Sequence, residues 1–553
     1  MLSDSPIHEN GSKHSNPGDD SISSNSLHAD LLNRARLLLT ELTTFQYYLQ
    51  SNKKEGAVGI RQFLSSVQSE AKSLERNAGV ISGEQLLPED MTRDDEIKRL
   101  HTLRSSNLPF YEVIWQVAER CEGVVSLGTR SRRVSYADGK SEAVLSVQGP
   151  PGNNRGSVRS KKDAGSADIV ADNGETWIKV STITEKRLLF EMAKEGWEGC
   201  DRGFSEDHTD SDDGSGTQSG ASHRARHSLE IVRLAEDMMM AASSVRVRYR
   251  HPKIHFILPR ISEGRLDEID AIVEDIRKTG ATVECAAELQ SRLSGHPPAF
   301  NSSTPAATFS RMLPRAHPPL TTTLNVDCTM LLALISDISH FNSQHLPNAP
   351  AGKYHSAIMR QIRSEESALL LESEIFPILV ARRLHCTSHA ARRMREIVQL
   401  MGTAAEKARA EIFFGERACI ELSAAELRVK LKELSDHGVP PELQLPIEVV
   451  AFDADVMLAG DRSNFSTGMM LQVASGLSEI NRSVFLYGWC QKIVTISSNR
   501  AVAKEIEKVV CQLLDTRDKT GGFIQPDDVA GPDIWVCDTA RSLIGKEKGR
   551  REG

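Results

Sequence analysis

Apolar residues along this chain follow two rhythms, one near three and a half residues and one of short continuous runs. Leu31, Ala35, Leu38, Leu42, Phe45 and Leu49 are spaced by alternating steps of four and three, which puts them on one stripe of a helix. Ile60, Phe63, Val67, Ala71 and Leu74 repeat the pattern after a turn containing Lys and Gly, so the two helices are expected to pack as a hairpin. The same spacing suits a helix of another protein, which makes these helices the candidate surface for protein partners. A third helix is expected after Pro109, burying Val113, Ile114, Val117 and Cys121. Ala167–Ala171 and Thr176–Val180 are β-rich runs on either side of Asp172-Asn173-Gly174-Glu175. Asn and Gly both accept the positive φ of a tight turn, so a hairpin is predicted. Ile254–Leu258, Glu263–Lys278 and Ala281–Cys285 read as strand, helix and strand, with Gly280 ending the helix. Such a unit is expected to be a right-handed crossover between parallel strands.

The second half alternates strand and helix. Strands are expected at Thr322–Val326, Glu448–Phe452, Lys492–Ile496 and Asp533–Val536, and helices at Thr329–Ser339, Ser356–Val380, His389–Met401, Ala424–His437, Gly468–Asn481 and Arg500–Val510. That order predicts a mostly parallel sheet covered on both faces. The fold class is therefore α/β, with a helical plus α/β domain at 28–290 followed by an α/β/α domain at 320–545. Residues 1–27, 129–164 and 205–227 are too polar to fold and are expected to be disordered. Residues 291–319 carry six prolines and read as the linker, and 546–553 as a basic tail.

Composition narrows the class without naming it. The 553 residues have a formal net charge of -8, so contact with RNA or an anionic membrane would need a local basic patch. Arg130, Arg132, Arg133, Arg155, Arg159, Lys161 and Lys162 supply one, although basic runs in inserts are usually just solvated. No apolar run reaches bilayer length and the first residues lack a signal-peptide core, so no membrane association is expected. Nine scattered cysteines without a CxxC pair suggest reduced thiols in the cytoplasm or nucleus.

In open parallel sheets, sites form beyond the carboxyl ends of the strands. Asp327 ends the first expected strand of the second half. Asp453 and Asp455 end the next, Ser497, Ser498 and Asn499 the third, and Asp538 the last. Oxygens on one sheet edge suit Mg²⁺ or Mn²⁺, and two such ions can clamp both oxygens of a phosphodiester under attack. An aspartate before a helix is also a favoured N-cap, worth about 0.5–2 kcal/mol, and spacing alone favours the cap. His385, Cys386 and His389 lie close together but lack a fourth zinc ligand. Asp168, Glu175 and Lys179 resemble the acid and lysine of restriction-type nucleases, without their Glu-x-Lys spacing, so a structural hairpin is the preferred reading.

Thr322–Ile335, with Asp and then Thr after a strand, resembles the opening motif of PIN domains, and Lys492–Asn499 resembles their final strand and turn. Together with Val170–Val180, the chain is similar over most of 28–545 to an uncharacterised eukaryotic family whose C-terminal domain is called domain of unknown function 1308. The resemblance implies a PIN-like domain, with RNA as its expected partner and an acidic, metal-binding site for RNA processing. It places the first acid at Asp327, the second at Glu396 and the last at Asn499, with Mg or Mn held by Asp327 and Asn499. The third position falls at Gly488-Trp489-Cys490, where there is no acid, and Asp461 is a distant substitute. Losing two of about four charges weakens the expectation of cleavage and opens a second reading, a catalytically inactive PIN fold serving as a protein-interaction scaffold.

Overall fold

Helices Ser24–Ser51, Arg61–Gly83, Arg93–Arg104 and Leu108–Ala118 open the fold. The computed structural model describes residues 24–83, 93–128, 167–194, 229–294, 305–315, 317–346, 354–459, 465–520, 531–537 and 540–544. The inserts 129–164 and 205–227 and the tail 546–553 lie outside these, while 24–27 already belong to the first helix. The stripe Leu31, Ala35, Leu38, Leu42, Phe45 and Leu49 is buried in the molecule's own core together with Phe63, Val67, Ala71 and Leu74. A partner would therefore have to use another face of these helices. The helix expected after Pro109 is the fourth, Leu108–Ala118, preceded by an unforeseen helix Arg93–Arg104; it buries Trp115, whose Nε1 donates to Glu41 Oε2 at 2.8 Å, while Val113 and Cys121 are only partly buried.

The first sheet runs β1 (Ser126–Leu127), β2 (Ile169–Ala171), β3 (Thr176–Val180), β4 (Lys253–Leu258) and β5 (Thr282–Cys285), in that spatial order. β1, β2 and β3 are antiparallel neighbours, and β3, β4 and β5 are parallel. The predicted hairpin forms, with φ positive at Asp172, Asn173 and Gly174. Helix Asp267–Lys278 joins the parallel strands β4 and β5, and Ile269, Ile272, Val273 and Ile276 lie in the core.

By internal contacts the described residues divide into two units, one up to 243 with 252–314 and the other 244–251 with 315 onward. The proline-rich stretch expected as a linker is therefore more than that. Pro305–Met312 is a helix whose Phe309 packs on Phe45 and Tyr48 in the first unit's core. Pro305 marks a helix start, which composition alone does not separate from a linker. Residues 244–251 were expected in the first domain. They instead bond within the second unit, where Arg246 Nε reaches Asp515 at 2.7 Å and also pairs with Asp518.

The second unit has a five-stranded, all-parallel sheet of order β10-β9-β6-β7-β8. Its strands are β6 (Thr323–Val326), β7 (Arg383–Thr387), β8 (Glu448–Val450), β9 (Val494–Ser497) and β10 (Ile534–Val536). Strand order reverses between β6 and β9, which is where such sheets open a crevice. β7 was not foreseen. The helix expected at Ser356–Val380 stops at Ser367, because Ala368 is extended, and a π turn at Leu371–Ile375 and a short helix at Phe376–Leu379 lead into the strand. The helix read as Gly468–Asn481 is two helices, Phe465–Ser475 and Glu479–Cys490, the second capped by Ser478.

An unforeseen helix, Ala404–Phe414, is closed by a Thr403–Glu406 capping box and carries a buried charge network. Arg409 and Asp337 are both fully buried and lie 2.7 Å apart. Arg409 also donates to Ile335 O and twice to Leu434 O. His340 lies beside it, with Nε2 against Leu334 O at 2.7 Å and Nδ1 against Ser435 Oγ at 3.0 Å. Nε2 must donate to the carbonyl, so a neutral ring satisfies both contacts. Burial, reinforced by the Arg409 charge, pushes the His340 pKa from 6.5 down to about 3.

Two expectations follow from this packing. Ile272→Asp places an unpaired charge at a fully buried site and should unfold the first unit; an unchanged melting midpoint would refute the core assignment. The depressed His340 pKa means that unfolded chain takes up a proton which the folded chain refuses. Its contribution is therefore complete above 6.5 and is lost as pH falls from 6.5 towards about 3, by up to about 1.4 kcal/mol per pH unit. Urea midpoints followed through that range should fall more steeply for the wild type than for His340→Gln.

Candidate functional site at the sheet switch point

In a parallel sheet covered on both faces, strand residues are usually apolar on both sides. Here one face of the three central strands is polar. Asn325 on β6 is in register with His385 on β7 and Thr495 on β9. Because side chains alternate, Asp327, Thr387 and Ser497 follow on the same face two residues later. The opposite face carries Leu324, Val326, Leu384, Cys386, Val494 and Ile496, all buried in the hydrophobic core.

Helix Glu479–Cys490 covers the polar face and answers it group by group. Asn325 Nδ2 donates to Val484 O at 2.9 Å and to Thr495 Oγ1 at 3.0 Å. Thr387 and Ser483 share a hydroxyl bond of 3.0 Å, and His385 Nδ1 meets the Tyr487 hydroxyl at 2.7 Å. Gly488 is required for the close approach, since a Cβ there would lie 2.0 Å from Thr495 Oγ1. Gly488, Trp489 and Cys490 form the last turn of this helix and not its start, where the resemblance expected an acid; the helix opens at Glu479, which pairs with His389 Nε2 at 3.1 Å. Trp489 is buried in the core.

Asp327 closes this layer at the carboxyl end of β6. It is 2% exposed, and its Oδ2 accepts from Ser497 Oγ at 2.6 Å and from Thr329 Oγ1 at 2.8 Å. Both hydroxyls are relays. Ser497 Oγ accepts from Asn499 N at 2.9 Å and Thr329 Oγ1 from Ser498 N at 3.0 Å, so the turn after β9 is stapled to Asp327 through two side chains. Burial raises the Asp327 pKa above its ordinary 3.8, and the bonds from Ser497 and Thr329 oppose that rise. Its backbone takes the N-cap position of helix Cys328–Ile335, but its side chain makes no capping bond. The N–H groups of Cys328 and Thr329 pull its pKa down without reaching capping geometry.

The structure brings Asp327 and Asn499 to the same edge, linked through Ser497, and leaves Glu396 apart. Asn499 Oδ1 accepts from Val502 N at 3.3 Å and so caps helix Arg500–Thr520. Glu396 lies on the exposed face of helix Ser388–Met401, paired with Arg393 at 3.1 Å. It is eight residues past the helix start, about 12 Å along the axis at 1.5 Å per residue. Asp453 caps the helix Ala454–Leu458, and Asp455 pairs with Arg482 at 3.2 Å. Asp461 and Asp538 lie outside the described residues, as do the basic residues Arg130, Arg132, Arg133, Arg155, Arg159, Lys161 and Lys162.

The weaker candidates resolve into structural roles. His385 and Cys386 are neighbours on a strand and point to opposite faces, and burial pushes the Cys386 thiol up to about 12. His389 Nε2 pairs with Glu479 at 3.1 Å. Lys179 pairs with Asp168 at 3.2 Å, and Asp168 also accepts from Val180 N at 2.9 Å, which ties the hairpin together. Among the described residues, no group of three or more His, Cys, Asp or Glu is gathered as a metal site. No helix among them is long and apolar enough to cross a membrane.

Sequence reading missed Asn325, Thr387, Ser483 and Tyr487. The available signal was polar alternation in strands that should be apolar throughout. Comparison with family models, curated proteins and solved structures gives no match to this chain. The tight helix–sheet contact provides a test: Gly488→Ala should destabilise by about 1–3 kcal/mol through overpacking, although Ala favours a helix by about 1 kcal/mol over Gly. A urea midpoint at or above the wild type would show that the helix is free to lift.

Proposed function

We propose that the second unit is a PIN-like domain that serves as a protein-interaction scaffold and does not cleave RNA by a metal-dependent route. The PIN-like reading is supported by the all-parallel sheet, by Asp327 and Thr329 following the strand at its centre, and by Ser497 and Asn499 following the neighbouring strand across the switch point. One observation carries the scaffold reading: the Asp327 carboxylate is 2% exposed and its Oδ2 is already engaged by two hydroxyl donors. Two-metal cleavage needs several ligands around ions about 3.5–4 Å apart. An ion on Asp327 Oδ2 would compete with Ser497 and Thr329, and one on Asn499 Oδ1 would take that oxygen from its helix. Glu396, two turns up an exposed helix, is in no position to help.

The rival reading, RNA processing with Mg or Mn, needs a second carboxylate at this edge, and Asp461 and Asp538 are its candidates. Asp327→Asn in the full chain separates the two. Asn keeps an oxygen that can accept from the hydroxyls, so a structural role predicts a stability change below about 1.5 kcal/mol. Neither form should then cleave single-stranded RNA above the chelator background with Mg²⁺ or Mn²⁺. Metal-dependent cleavage by the wild type that disappears in a folded Asp327→Asn chain would establish the nuclease instead.

A further inference from the structure

Residues 540–544 adopt neither helix nor strand, yet Arg541 and Ile544 are buried. Backbone polar groups buried outside helices and sheets must find partners elsewhere. This segment is bonded by side chains of other elements. Ser542 N donates to Gln361 Oε1 at 2.8 Å, Ser542 O accepts from Ser336 Oγ at 2.8 Å, and Ile544 N donates to Glu406 Oε1 at 3.2 Å. Gln361 Nε2 also donates to Ser542 Oγ at 3.1 Å, so one amide side chain reads both backbone and hydroxyl.

Two side chains anchor the segment. Arg541 Nε and Nη2 both reach Glu365 Oε2, at 2.7 and 2.5 Å, with the two side chains 2% and 6% exposed. Ile544 fills an apolar pocket with Ile338 and Ile362. A buried charged anchor, an apolar anchor three residues on, and main-chain bonds to side chains between them are the features by which proteins bind extended peptides.

We propose that Ser336, Gln361, Glu365 and Glu406, with the Ile338–Ile362 pocket, form a peptide-recognition groove that residues 540–544 occupy in cis, and that the partner it fits is an extended peptide with an arginine three residues before a branched apolar residue. The specificity follows from the contacts. Glu365 demands a guanidinium that can bring two N–H groups to one carboxylate oxygen. The pocket demands an aliphatic side chain, and Gln361 favours a small hydroxyl residue after the arginine. The chain's own segment is then an autoinhibitory occupant that a partner in trans must displace. This inference goes beyond the scaffold reading and stands whether or not Asp327 can hold a metal.

Two measurements on the full chain test it. Opening the groove does not require opening the sheet, so the amides of Ser542 and Ile544 should exchange hydrogen at least tenfold faster than those within β6 and β9. A labelled peptide with the sequence of residues 538–546 should bind the Arg541→Glu chain, whose own segment is repelled by Glu365, at least tenfold more tightly than it binds wild type. Adding Glu365→Arg should abolish that binding, because the residue 541 carboxylate then regains a partner in cis. Exchange at 542 and 544 in step with the strands would overturn the proposal, as would peptide binding that is absent from Arg541→Glu or equal in all three chains. If Arg541→Glu does not fold, the exchange rates of the wild type decide alone.

Discussion

The second unit is organised around a guanidinium with no access to water. Arg409 is fully buried and must find partners inside the protein. It finds them in Asp337, in the Ile335 carbonyl at the end of helix Cys328–Ile335, and in the Leu434 carbonyl just past helix Ala424–Glu433. A buried pair of this kind is no great source of net stability, because desolvation offsets most of the attraction. Its effect is on specificity. Removing either charge leaves the other stranded, at about 3–5 kcal/mol, so these helix ends have one arrangement that avoids the penalty. Glu406, a turn before Arg409 on the same helix, extends the constraint by accepting from Asp337 N and Ile544 N.

A second polar layer lies between the sheet and helix Glu479–Cys490. Hydroxyl, amide N–H and imidazole groups bond across the interface while Asn325 Oδ1 stays without a partner, and Gly488 lets the helix approach closely enough for those bonds to form. Asp327 belongs to this layer as much as to the sheet edge. Its Oδ2 accepts two short hydroxyl bonds, and the same hydroxyls fix the turn from β9 into helix Arg500–Thr520. The residue with most claim to be a metal ligand thus has a complete structural role, and this is why the scaffold reading outweighs the nuclease one. The groove around residues 540–544 is a different kind of place. Its bonds are made to a segment without secondary structure, between a buried ion pair and an apolar contact, and that is what the proposed interaction role rests on.

Much of the architecture was legible in the chain because it depends on local periodicity. The stripe from Leu31 to Leu49, the Asn-Gly turn and the β4–helix–β5 unit each repeat over enough residues for burial to follow from spacing. The failures have local causes too. β7 was missed because its five residues, Arg383–Thr387, fill the short gap between two expected helices, too short a run to show a strand period. Ala368 breaks the first of them without Gly or Pro, the usual signals of a stop. The helix Pro305–Met312 was read as linker because proline content marks helix starts and loops alike.

For the candidate site, sequence indicated which residues could end four of the five parallel strands, and it gathered Asp327, Ser497 and Asn499 at one edge of the sheet. It could not determine what those groups would be bonded to, since that depends on partners far away in the chain. Ser497 is 170 residues from Asp327, and Val484 is 159 from Asn325. Nor could it place Glu396, where the helix alone decides and carries the carboxylate away from the edge to Arg393. Spacing fixes which face a side chain takes. Only tertiary packing decides whether that face meets water, a metal or a hydroxyl, because the free energy of a buried carboxylate depends on which groups surround it.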